Sequence, residues 1–448
     1  MPSQTLADSP IAELCSVVDR SVTRRGFLAG TGAVLATSAL APQLAFASPE
    51  NPGTGDVVVL LFLRGGADGL SLVAPWQMPS YRTLRPSIRV KDASEVATPA
   101  TQAGLPLVTG GNVGAFALSG TFAMHPGLAQ LHSGPWAAGD LAVVHAAGMP
   151  ASESDTRSHF DSMRNWEMGS ASLNVNTGFL NRFLAAVGAT DRLAGIGRGS
   201  NLQRTLSGPV PAYSMNDLSS FGINGFSNNT RARTALSRWY EPTPGDLVAT
   251  VGSNTLNAIG SVAGINWTDA RFTPQNGATY GNDDIGRNLA EVSKLIRANL
   301  GLRVACLDAG GWDTHEGMGA PEDTNSYFRQ RAGQLGNALA AFYQDMGSAM
   351  SEVTVVTISE FGRTINENGS GGTDHGRGSS MFVMGGGARG GVHGGFVNQI
   401  LDGPEGDLTV VNDYRTVLAE VLTARGGATS ATSVFPTWAP AAPLGVCG

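Results

Sequence analysis

Cysteine is scarce in this chain: Cys15, Cys306 and Cys447 are the only three among 448 residues. So few exclude a disulfide scaffold and a thiolate zinc site. Cys306 and Cys447 either pair with each other or, as the apolar run around Cys306 favours, stay separate and buried. Basic runs are also missing. Lys and Arg total 29 against 36 Asp and Glu, a formal net charge of −7, which argues against nucleic acid as a main partner. After residue 47 no apolar run is long enough for a membrane helix, which needs about 20 residues, so no stable membrane span is expected once residues 1–47 are removed. The G-x-G-x-x-G spacing is absent around Gly65-Gly66, and Gly385–Gly391 is not followed by Lys-Ser/Thr, so neither phosphate-binding fingerprint is present. No haem, flavin or copper motif is visible.

What the N-terminus does have is a targeting pattern. Arg24 and Arg25 precede an uncharged stretch from Phe27 to Ala47 that closes in Ala45-Phe46-Ala47, a small-x-small cleavage site. Basic region, apolar region and cleavage site stand in the order of a twin-arginine export signal. Residues 1–47 are therefore read as a signal peptide, the destination as periplasmic or secreted, and residues 48–448 as the mature protein. Folded export suits a protein that loads a metal before leaving the cytoplasm.

With 42% hydrophobic residues the mature chain can bury a sizeable core. Five short runs read as buried parallel strands, apolar on both faces: Val57–Leu63, Leu141–Ala146, Leu302–Leu307, Val353–Ile358 and Met381–Met384. Helical spacing appears at Leu289, Val292, Leu295, Ile296 and Leu300, and again at Phe328, Leu335, Leu339, Phe342 and Met346. Alternation of strand and helix predicts an α/β fold, a three-layer sandwich around a central, mostly parallel sheet. Residues 190–284, rich in Ser, Asn, Thr, Gly and Pro, read as an inserted cap with a helix near 230–240.

The strand exits carry the chemistry, because open α/β sheets bind ligands beyond the carboxyl ends of their strands. Leu63 is followed by Gly65-Gly66-Ala67-Asp68-Gly69, and the Leu141 strand by Ser152–Phe160 with His159. Leu307 is followed by Gly311-Trp312-Asp313-Thr314-His315. The Val353 strand leads into Glu360-Phe361-Gly362-Arg363 and then Gly372-Thr373-Asp374-His375. Met384 leads on to His393. Carboxylate and imidazole are ordinary ligands for divalent ions. Asp68, Asp313, His315, Glu360, Asp374 and His375 would thus hold one or two ions of zinc, manganese or calcium. Each also has a plainer reading: a turn aspartate at Asp68, an ion pair between Glu360 and Arg363. Arg363 or Arg64 would grip an anionic substrate group. Ser158 caps a helix with Asp161 three residues on, serves as a nucleophile, or does both. His125, His132 and His145 read as structural.

Together with Tyr81, Leu84-Arg85-Pro86 and His125-Pro126, these motifs resemble the bacterial exported family catalogued as "domain of unknown function 1501". The resemblance spans nearly all of the mature chain. That family in turn resembles a remote branch of the alkaline phosphatase and sulfatase superfamily, which implies a central sheet, a cap, two divalent metals and a hydroxyl nucleophile at a helix start. On this resemblance Asp68 matches the first-strand aspartate, Asp313 and His315 the Asp…His pair of one metal, and His375 the last histidine. Glu360 stands where the superfamily often has Asp-His, and Ser158 lies in the nucleophile region. Two features depart from the pattern. Asp313 and His315 are only two apart, and Phe361 follows Glu360 where an imidazole is usual. The implied function is an exported metal-dependent hydrolase of phosphate or sulfate esters, on a small molecule or a glycan. The alternative is a non-catalytic envelope or secreted binding protein that retains the fold; no protein partner is indicated.

Overall fold

Val57–Leu63 is apolar at every position, which suits a strand covered on both faces. In the computed structural model it is β1, at the centre of the main sheet. The structure describes residues 56–96, 102–107, 121–225, 228–395 and 406–448; the expected signal peptide lies outside them. The sheet adds β2 (Leu141–Gly148), β3 (Gly195–Arg198), β4 (Ala212–Met215), β5 (Val304–Ala309), β6 (Val353–Ile358), β7 (Ser379–Gly385), β8 (Gly391–His393) and β9 (Asn412–Asp413). The order is β8-β2-β7-β6-β1-β5-β3-β4, with β9 on β2.

Alternate residues of β1 enter two separate cores. Val59, Leu61 and Leu63 face the helices α5 (Asp284–Ala298) and α6 (Tyr327–Met346) through Leu289, Val292, Leu335 and Leu339. Val58, Leu60 and Phe62 face α1 (His159–Met168), α2 (Phe179–Ala186) and α7 (Tyr414–Ala424) through Trp166, Phe183 and Val417. This is the expected three-layer α/β sandwich. Period-two alternation in a strand buried on both sides produces it directly.

Every pairing in the main sheet is parallel except those of β7, which runs antiparallel to both β6 and β2. The expectation of a parallel strand at Met381–Met384 is therefore corrected. Parallel neighbours need a crossover from one end of the sheet to the other. Residues 359–378 make none: they leave β6 and re-enter through β7 at the same end. Glu360, Arg363, Asp374 and His375 are thereby all kept over the carboxyl end of β1, β5 and β6. His393 closes β8, level with Val144 midway along β2, and its Nε2 donates to the Arg389 carbonyl at 2.6 Å, so it does not join the loops beyond the carboxyl end.

The segment 190–284 contributes two edge strands, β3 and β4, before it leaves the sheet. Beyond them α3 (Asn229–Trp239) and α4 (Leu247–Val262) pack on a small cluster of Ile223, Ala232, Leu236, Leu256 and Ile259. The chain is then tied back to α6 by Asp345, which accepts from Tyr280 Oη at 2.8 Å and from Gln275 N at 2.5 Å. Cys306 and Cys447 are both buried and unpaired, so the structural reading of Cys306 stands.

His125 and His145 are fully buried and neutral. Burial pushes the His125 pKa down to about 3, helped by the charge of Arg329. Burial pushes His145 down to about 4, against the opposing hydrogen bond to the Val73 carbonyl. Both folded-state values lie below the unfolded value near 6.5, so the stability they carry is present above that pH and is lost as pH falls towards 4. Between pH 7 and pH 5 the loss is about 2 kcal/mol per histidine. Urea denaturation at the two pH values checks this: a His145→Gln variant should be weaker at pH 7 but lose less on acidification than wild type.

Candidate metal centre

Four loops meet at the carboxyl end of the sheet, and glycine lets them approach. Gly65 has φ +121°, and a Cβ there would lie 2.5 Å from the Asp313 amide nitrogen. A Cβ on Gly372 would lie 2.4 Å from the His315 carbonyl carbon. Side chains at either position would force the exits of β1, β5 and β6 apart.

The contacts bring His159, Asp313, His315 and His375 together. One ligand atom from each of His159, Asp313 and His375 lies within 4.8 Å of the others. His315 Nε2 sits 2.9 Å from His375 Nε2 and 3.1 Å from Asp313 Oδ1. The opposite nitrogen of each ring is committed. His159 Nδ1 donates to Glu360 Oε1 at 2.8 Å, and that oxygen also accepts from Gly65 N at 2.8 Å. His375 Nδ1 donates to the Arg157 carbonyl at 2.9 Å, and His315 Nδ1 donates to Asp374 Oδ1 at 3.0 Å. In neutral rings the proton then resides on Nδ1 and the lone pair on Nε2. Three lone pairs and a carboxylate are turned towards one another.

The electrostatics of the cluster differ from residue to residue. Burial and the nearby Arg363 charge lower the His375 pKa. The hydrogen bond and charge of Glu360 outweigh burial and raise that of His159, which strengthens its lone pair as a donor. Burial alone would raise Asp313, but the hydrogen bond and charge of Arg363 prevail and its pKa is lowered. The hydrogen bond from His315 lowers Asp374.

A metal fits these donors on two observations. His159 Nε2 is buried without a hydrogen-bond partner, and an orphaned buried imidazole nitrogen is costly. The two facing Nε2 atoms of His315 and His375 repel as bare lone pairs, and a proton or a metal ion between them removes the repulsion. Paired carboxylate or carbonyl acceptors behind each ring are the usual support of metal-binding histidine.

The sequence-predicted residues fall into different roles. Asp313, His315 and His375 are in the cluster. Glu360 and Asp374 do not face its centre; they hold the rings of His159 and His315. Asp68 does not join the cluster: it is buried and accepts with both oxygens from Arg85 Nη1 at 2.9 Å, with Thr373 Oγ1 donating at 3.1 Å. Arg363 cannot grip substrate, because its guanidinium is spent on the carbonyls of Gly65, Gly66, Trp312 and Thr373 and on Asp313. Arg64 is likewise held, by Asp308 at 2.8 Å and Glu167 at 2.9 Å. Ser158 caps α1, its Oγ accepting from Asp161 N at 3.5 Å. His159, which belongs to the cluster, was not among the residues expected to hold a metal. Its signal was its place after a strand exit, obscured by the ten residues between the end of β2 and the ring.

Removing one partner of the buried Asp68–Arg85 pair leaves an uncompensated charge. Asp68→Ala should cost about 3–5 kcal/mol of stability while the folded fraction still binds metal as wild type does. Glu360→Ala should do the reverse: a smaller stability change and metal affinity about 10–100-fold weaker. Denaturation curves and calorimetric metal titration separate the two.

No curated protein matches the chain. Among solved structures, the lipoteichoic acid synthase LtaP from Listeria monocytogenes is similar at a TM-score of 0.26 and 8% identity, over 76% of this chain and 68% of that one. Residues 275–422, the span that holds Asp313, His315, Glu360, Arg363, Asp374 and His375, match the family described as "Protein of unknown function (DUF1501)", and over that span the resemblance drawn from the motifs is borne out.

Proposed function

We propose that the protein is an exported, metal-dependent hydrolase of phosphate or sulfate esters. The observation that carries this is the set of Nε2 lone pairs on His159, His315 and His375 facing the Asp313 carboxylate, with each Nδ1 proton held elsewhere. These four residues would hold one divalent ion. Asp68 and Glu360, the residues a second ion would need, are engaged in other bonds. A donor set rich in imidazole favours zinc over calcium, which takes oxygen ligands. When bound, the ion would supply Lewis-acid polarisation of the ester and of attacking water.

The chain's own residues supply the rest. Glu360, Asp374 and the Arg157 carbonyl keep the rings in one tautomer. Arg363 keeps Asp313 ionised and in place. Ser158, adjacent to His159 at the start of α1, is the hydroxyl best placed along the chain to act as nucleophile. In net terms water gives its hydroxyl to phosphorus or sulfur, the ester oxygen leaves, and it takes up the remaining proton.

One observation favours the second reading, a non-catalytic envelope or secreted binding protein. Arg64 and Arg363 are saturated by carboxylates and carbonyls, so neither is left to grip ester oxygens. Metal content decides first. Protein purified without chelator should contain one equivalent of zinc or a similar ion by mass spectrometry, lost in His159→Ala and in His375→Ala. Metal at background in well-folded wild type would end the hydrolase reading and leave the binding protein. Metal present without turnover in a phosphate- and sulfate-ester screen would do the same for catalysis alone.

Export rests on Arg24, Arg25 and the Ala45-Phe46-Ala47 site. Wild type should be recovered outside the cytoplasm beginning at Ser48. Replacing both arginines by lysine should leave uncleaved protein inside. Wild type retained in the cytoplasm would refute the signal.

A further inference from the structure

A trough runs from the metal cluster along one face of α6. It consists of two adjoining hollows of about 530 and 320 Å³ that share Gly311 and Tyr327. Each is on the scale of a site for a small organic ligand, roughly 300–1,000 Å³. One end reaches Asp313, and the other reaches Gln334. Tyr327, Gln330, Arg331 and Gln334 stand at i, i+3, i+4 and i+7, so they share one helix face. The opposite face of α6 is buried through Phe328, Leu335 and Leu339.

The groups presented along this trough are of one kind. Tyr327 is half exposed, yet its hydroxyl donates to the Gly311 carbonyl at 2.9 Å, so the ring stands as a fixed wall. At Gly310 nothing lies within 4 Å of where a Cβ would be, which leaves an open backbone floor. Gln330 and Gln334 add carboxamides, and Asp284 and Glu316 add carboxylates. The one arginine is neutralised in place: Arg331 forks onto Asp284 at 2.8 and 3.0 Å and reaches Gln334 Oε1 at 2.7 Å. Two polar atoms are left over. Thr314 Oγ1, on a residue 3% exposed, and Arg331 Nε are buried with no hydrogen-bond partner. Both lie beneath the surface of the trough, so the groups open to a ligand are the Tyr327 ring and the side chains of Gln330, Gln334 and Glu316.

From this arrangement we propose that the trough binds a neutral saccharide chain and feeds its ester to the metal cluster. The proposal rests on the ester-hydrolase reading above and names the substrate as an esterified saccharide. A sugar ring offers an apolar face to stack on an aromatic ring and a rim of hydroxyls that both donate and accept. The carboxamides of Gln330 and Gln334 and the exposed carboxylate of Glu316 suit that rim. A polyanion is disfavoured because the lining carries Asp284, Asp313 and Glu316 and no unpaired cation. A peptide is disfavoured because the trough is walled by a helix face and a glycine loop, with no strand edge to pair with.

The test is calorimetric titration of the full mature protein with cellohexaose and chitohexaose, and, for contrast, with heparin and an uncharged polar hexapeptide. At least one neutral hexasaccharide should bind. Tyr327→Ala should weaken that binding about tenfold, while Tyr327→Phe retains it and both keep wild-type metal content. His159→Ala, which should lose the metal, should still bind the saccharide. If neither hexasaccharide binds metal-loaded wild type, or Tyr327→Ala binds unchanged, the trough proposal is overturned and the metal site stands. Preferential binding of heparin or of the peptide overturns it equally. Saccharide binding by a wild type that carries no metal would uphold the trough and sink the hydrolase reading.

Discussion

Arg363 holds the functional end of this molecule together. Its guanidinium is 1% exposed at the residue level and donates to the carbonyls of Gly65 and Gly66 after β1, of Trp312 after β5 and of Thr373 before β7. A planar fork with five N–H donors is the one side chain that can bridge three loops at once. Burying that cation costs several kcal/mol unless it is paired. The pairing comes from Asp313 Oδ1 at 2.6 Å. The same bond that settles the charge of Arg363 therefore aims Asp313 and keeps it ionised. Fold stability and site geometry depend on one contact.

Around that contact the histidines are arranged from behind. Each ring has its Nδ1 proton taken by an acceptor from a different segment, so each loop orients a residue of another. Glu360, on the exit of β6, orients His159 of α1; Asp374 orients His315; the Arg157 backbone orients His375. Phe361 fills the space between, with its ring centroid 4.9 Å from His159 and 4.6 Å from His375. Glu360 itself is 1% exposed and bonded to Gly65 N. An acid so placed serves as a fixed acceptor rather than as a group free to follow a ligand.

Much of the sheet was legible because β1 and β6 carry unbroken apolar runs, and α5 and α6 carry clear helical spacing. The direction of β7 was not, since a run apolar on both faces looks the same whichever way it points. Nor were β3 and β4. Gly195–Arg198 and Ala212–Met215 contain Gly, Arg, Tyr and Ser, a composition that reads as loop, and only their place at the sheet edge makes strands of them. In the site, Asp313, His315 and His375 were legible from their glycine-flanked exits. Asp68 was misassigned because an aspartate at the first strand exit looks alike whether it meets a metal or an arginine. Arg85, the partner that settles the matter, is 17 residues away.

Two sequence features of the cluster, the Asp313-x-His315 spacing and the Glu360-Phe361 pair, are explained by how its loops run. Asp313 and His315 stand two apart, the spacing at which an extended segment turns both side chains to one face. Here they lie in an irregular loop, with Gly311 at φ +83°. Both side chains reach the same centre there, Asp313 Oδ1 and His315 Nε2 being 3.1 Å apart. Glu360 is followed by Phe361 rather than by an imidazole, and the imidazole beside Glu360 comes from another element, His159 of α1, whose Nδ1 donates to it. Position along the chain is therefore a poor guide to which side chains meet at the cluster, and the end of the sheet to which a loop is confined is a good one.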